Sequence, residues 1–144
     1  MSHGPGENPK TTYPLKEVIT SLMREHTAGR VGGQFIAILQ RAFQIQKPDE
    51  LVAALERLRV KIEGGDGSSQ EEAISITGDI LGPYGILLEH IVIKHLRPGK
   101  TFNGKQLIEN NEGTERFDVF SFPDDPDLWI DISQWWGLEK NDLH

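Results

Sequence analysis

The chain has 144 residues, no cysteine, 37% apolar side chains and a formal net charge of −7. That length suits one domain. The missing thiols exclude a disulfide framework, thiolate zinc and a cysteine nucleophile, and they agree with a reducing, cytoplasmic setting. From Asn110 onward nine acidic residues face two basic ones, whereas residues 1–109 carry thirteen of each sign. Such a field repels phosphate backbones and attracts basic surfaces, which disfavours nucleic acid as a partner and favours a protein with a basic surface.

Residues 1–12 have neither the apolar run of a secretory signal nor the Arg-rich pattern of a transit peptide, and read as a flexible tail ahead of a single domain over 13–144. Leu15, Val18, Ile19, Leu22 and Met23 recur at helical spacing and predict a first helix over 14–26. After the glycines at 29, 32 and 33, the apolar stripe of Phe35, Ile36, Ile38, Leu39, Ala42 and Phe43 predicts a second helix ending near Gln46. Leu51, Val52, Leu55 and Leu58 predict a third over 49–60, with Pro48 near its first turn. The Gly- and Ser-rich stretch 63–69 reads as a loop. Ser68 with Glu71, or Ser69 with Glu72, has capping-box spacing and predicts that a fourth helix starts there. Gly78 and the run from Gly82 to Gly85 interrupt it, and an apolar segment over 86–96 continues, read as helix despite β-branched Ile91, Val92 and Ile93.

From Phe117 the apolar period becomes two. Phe117 and Val119, then Leu128, Ile130 and Ile132, predict two strands joined by the proline-flanked turn 123–127, with Phe102 to Ile108 as a possible third. The fold expected is therefore a helix-rich α+β domain. In it, a body of three to four N-terminal helices over 13–98 packs on a small C-terminal antiparallel sheet or hairpin within 99–144.

Motifs for chemistry fail one by one. Gly99 to Lys105 matches seven positions of a phosphate-binding loop, but Gln106 stands where a hydroxyl must hold magnesium. His90 and His95 are five apart, about 140° around a helix, so they do not share a metal-binding face. Asp124, Asp125, Asp127 and Asp131 suggest a calcium loop only superficially, since two prolines stiffen the segment and neither the sharp-turn glycine nor a closing glutamate is present. None of the serines sits in a glycine-flanked nucleophile elbow. No catalytic residue, metal or cofactor is assigned.

The acidic aromatic segment remains. All three tryptophans, Trp129, Trp135 and Trp136, lie there, and tryptophan among aspartates is suited to contacting a basic protein. Asp124, Asp125, Asp127, Trp129, Asp131, Trp135 and Trp136 are the candidate partner-binding residues. They point to a non-enzymatic protein-binding module, for example an inhibitor or immunity-type protein that masks a basic partner. The competing readings are a small-molecule-binding enzyme with a pocket between helices and sheet, and a structural homo-oligomerisation domain. A membrane role is excluded by charge: the stretch 86–96 contains Glu89, His90, Lys94 and His95 and is much shorter than the ~20 apolar residues of a span.

Overall fold

In the computed structural model, which describes residues 11–27, 38, 41, 44, 48–79 and 82–135, strands begin before the first helix. Thr11–Thr12 form β1, Leu15–Thr27 α1, Pro48–Arg57 α2, Lys61–Gly64 β2, Ile74–Thr77 β3 and Gly82–Leu96 α3. Gly104–Asn110 form β4, a 3-10 turn spans Asn111–Gly113, and Glu115–Ser121 and Leu128–Asp131 form β5 and β6. One mixed sheet takes all six strands in the order β1-β2-β3-β6-β5-β4. Every neighbouring pair is antiparallel except β3 with β6, which run parallel with Ile74 opposite Ile130 and Ser75 opposite Asp131.

This overturns the expected architecture of N-terminal helices capped by a small C-terminal hairpin. Two of the six strands, β2 and β3, lie inside the stretch expected to be a helical body, β1 lies ahead of it, and helices and strands are interspersed along the chain. The fourth helix does not form from the capping-box residues. Ser69 Oγ does accept the Glu72 N–H at 3.2 Å, but the bond closes a tight turn, with Gly67 N–H donating to Glu72 O at 2.7 Å. The alternation that follows, Ile74 and Ile76 buried with Ser75 and Thr77 half-buried, is strand periodicity. Residues 82–85 do not interrupt a helix but begin one, since proline is tolerated in a first turn, where its missing N–H has no intrahelical acceptor. The helix expected over 35–46 falls outside the described residues apart from Ile38, Arg41 and Gln44.

Two faces of the sheet have separate partners. Alternation sends Ile62, Ile74, Ile76, Phe120, Leu128 and Ile130 toward the helices, where they join Val18, Ile19 and Leu22 of α1, Leu51 and Leu55 of α2, and Leu88, Ile91, Val92 and Ile93 of α3 in one core. The β-branched run of α3 is helical because Ile91, Val92 and Ile93 are all buried, wrapping about 200° of the helix circumference. Tertiary burial here overrides the strand preference of the residues. On the opposite face Phe117 and Val119 are buried beside half-buried Trp129, whose ring meets that of Phe117 edge to face at 5.9 Å.

The tip of the β2–β3 hairpin reaches across this second face. Trp129 N–H donates to Gly67 O at 2.7 Å, and on the far strand Asn110 Nδ2 donates to Gln70 Oε1 at 2.9 Å. Asn110 shares a face with Ile108, which stands opposite Phe117, so the bond draws the tip over the aromatic patch. The loop expected from the glycines at 64, 65 and 67 is thus an ordered strap. Among the described residues no helix is long and apolar enough to cross a membrane.

Trp135 closes the helical side, fully buried with its indole against Gly85 of α3. A Cβ at position 85 would stand 2.4–2.6 Å from three indole carbons, well inside van der Waals contact. Gly85→Ala should therefore cost about 1–3 kcal/mol through overpacking, read as a lower urea midpoint with an unchanged slope.

Candidate functional site

The acidic turn between β5 and β6 sits against the C-terminal end of α3. Arg97 lies over the Phe122 ring at 5.6 Å and donates to Pro126 O at 3.4 Å, and Lys100 Nζ approaches Asp125 Oδ2 at 3.6 Å. A cation at a helix C-terminus is favourably placed, but a half-exposed ion pair contributes only about 0–1 kcal/mol. Asp125 is thus engaged within the chain, while Asp124 and Asp127 are exposed.

The other predicted residues separate. Asp131 lies at the opposite end of β6 and accepts both the N–H of Ser133 at 2.9 Å and its hydroxyl at 2.6 Å. Ser133 Oγ in turn accepts the Arg116 N–H at 2.9 Å, so Asp131 builds the turn that ends the strand. Trp129 packs on Phe117 on the sheet face opposite the core of α1, α2 and α3. Trp135, expected on a partner surface, is fully buried in the core of the chain. Trp136 lies outside the described residues. Of the seven, the structure brings Asp124, Asp125 and Asp127 together on one turn.

Two features were missed in the sequence. The first is the outer edge of β4. Seven residues long, it pairs among the described residues with β5 alone and exposes Lys105, Gln106, Leu107 and Glu109. Its first residue stands opposite Ser121, and Asn103 N–H donates to Ser121 O at 2.8 Å, so the edge starts beside the acidic turn. The strand itself was expected over Phe102 to Ile108; its place at the end of a six-stranded sheet was not.

The second is a buried ionisable group at the junction of α3 with β5. Glu89 and Asp118 are each 1% exposed, facing one another between helix and sheet. Lys105 Nζ reaches Asp118 Oδ2 at 3.4 Å from β4 and passes over the Phe120 ring at 5.7 Å. Burial, and then the neighbouring Asp118, push the Glu89 carboxyl far above the usual carboxylate range, with Lys105 opposing. His90 stacks with Phe102 at 6.0 Å, and burial, helped by Lys105 and Lys94, holds it below the ordinary histidine value. No helical or strand period announces such a pair, because the residues come from distant segments.

A groove of about 810 Å³ opens at the other end of the molecule, between the start of α1, the end of α2 and the ends of β2 and β3. Its charged lining, Lys16, Glu56, Arg59, Lys61 and Asp79, is exposed and mixed in sign, so it presents a wide polar trough and not a deep pocket of converging groups. Among the described residues no group of three or more His, Asp or Glu side chains could hold a metal ion. Comparison with family models, with curated proteins and with solved structures gave no match.

His95, on the next turn of α3, is also held low, by burial and then by Arg24 against an opposing Glu17, while Ser21 Oγ hydrogen-bonds its Nδ1 at 2.7 Å. For a histidine whose folded pKa lies below the unfolded value near 6.5, stability is fully present above that value and lost as pH falls through the folded one. His90→Gln should therefore lose fewer degrees of Tm than the wild type between about pH 7 and about pH 5, measured by calorimetry.

Proposed function

We propose that the chain is a protein-binding module whose interface is the outer edge of β4 together with the acidic turn at its start. The observation that carries this reading is the outer edge of β4, which no described residue pairs. A seven-residue strand at the end of a sheet offers a row of backbone donors and acceptors as a template for an added strand. Leu107, 38% exposed at mid-strand, offers the apolar contact that fixes the register of an added segment. Asp124 and Asp127 select for positive charge and speed encounter with it. The partner that fits is a protein presenting a basic, extended segment, and masking such a surface is the mode of action of an inhibitor. In this reading Trp129 and Trp135 serve the fold, and recognition rests on backbone and carboxylates.

An affinity capture from the native host tests it, run with three forms of the bait. Asp124→Asn with Asp127→Asn should weaken capture about tenfold at low salt and flatten its salt dependence. Leu107→Lys, which places a charge on the edge and repels a basic segment, should abolish capture while leaving the fold intact by circular dichroism. If all three baits retain the same partners at every salt concentration, the interface lies elsewhere. If Leu107→Lys alone turns a dimer into a monomer, the occupant of the edge is a second copy of the chain.

A further inference from the structure

The junction of α3 with the sheet holds more negative charge than it can neutralise. Neither Glu89 oxygen has a hydrogen-bond donor, although both are shielded from solvent, and Asp118 Oδ2 has Lys105 alone, 3.4 Å away. Among the described residues, Asp118 and Lys105 are the charges that act on Glu89. Strands β3 and β6 present Ile76 and Ile130 to this layer, and on α1 the charged Glu17 and Arg24 act on His95, one turn beyond. On α3 itself the neighbouring His90 is held neutral by its own burial, and Lys94 acts on His90.

Two buried carboxylates against one amine leave an uncompensated negative charge in a low-dielectric layer, where each unpaired ion costs several kcal/mol. One proton restores neutrality and also supplies the missing donor between the two carboxyls. Because Lys105 stands on Asp118, the proton belongs on Glu89.

We propose that Glu89 keeps a proton at neutral pH and donates it to Asp118, making the Glu89–Asp118–Lys105 trio an uncharged clamp that fastens α3 to the β4–β5 hairpin and loosens when alkali removes the proton. The upward displacement of Glu89 agrees in direction. A carboxyl whose folded pKa exceeds the unfolded one contributes stability that is complete below the ordinary carboxylate range and is lost as pH rises toward the folded value. Across that interval the folded state holds one proton more than the unfolded state, so the folding equilibrium falls about tenfold per pH unit from this group alone. The device is separate from partner binding and stands or falls independently of it.

The direct test needs no variant. In protein labelled with 13C at glutamate Cδ, Glu89 should keep its protonated chemical shift at neutral pH, after every exposed glutamate has titrated. Titration of Glu89 together with the others in the ordinary carboxylate range overturns the proposal. Variants then test the clamp. Relative to wild type, Glu89→Gln should be more stable under mildly alkaline conditions, and the difference should grow about tenfold in the folding equilibrium per pH unit. Lys105→Met should move the Glu89 midpoint higher still, since it removes the one opposing charge. Amide hydrogen exchange in α3 should accelerate with alkali beyond the intrinsic rate in wild type and not in Glu89→Gln; equal pH dependence in the two proteins would show that the proton does not hold the helix.

Discussion

The parallel pairing of β3 with β6 is the contact on which the architecture rests. Without it the strands fall into two antiparallel units, β1-β2-β3 and β6-β5-β4, each of three strands and each open along an edge. Joining Ile74 to Ile130 merges them into one sheet and forces the intervening chain to cross over, which is what lays α3 on the face that both units share. The position of α3 is thus a consequence of strand order. Its burial on the sheet side and toward α1 follows from the same crossover, and so does the need to hide a nearly continuous run of apolar residues around the helix.

A helix enclosed in this way tolerates polar side chains only where they meet partners. Glu89 breaks the apolar run of α3 at the point where the helix passes over β5, and the strand answers with Asp118 in place of an apolar residue. Replacing such a pair with apolar side chains of similar volume is often neutral or stabilising in other proteins. A buried acid pair is therefore a poor device for stability alone, but it does set Glu89 of one turn of α3 against Asp118 of β5. The Gly85 contact with Trp135 fixes the same helix one turn earlier by shape, so charge and packing set one register between them.

Much of this was legible from the residues, and the failures have physical causes. The first and third predicted helices and the β5 and β6 strands appear because their apolar periods were clean, and the third strand expected over Phe102 to Ile108 appears as β4. The β2 and β3 strands were missed since each has four residues, too few for alternation to outweigh glycine and the capping-box spacing of Ser69 and Glu72. The hydrogen bond that spacing foretells does exist, but a capping interaction nucleates a helix only if the residues after it have somewhere helical to go, and Ile74 is committed to Ile130. Of the candidate site, the acidic turn was readable from charge, whereas the roles of Trp135 and Asp131 depend on contacts with Gly85 and Ser133 that no local pattern encodes. The Glu89–Asp118 pair was invisible for the same reason.

The hydrogen bond between Asn110 and Gln70 gives the exposed strand a direction. At that end β4 runs into a turn in which Asn111, Glu112 and Gly113 all take left-handed backbone angles, and the strap from the β2–β3 hairpin occupies the last side chain of the strand. The Gly104 end is flanked by carboxylates and has no such stopper. Under the proposed reading, a segment adding to this edge would make its first contact at the Gly104 end and pair onward toward Asn110, whichever way its own chain runs.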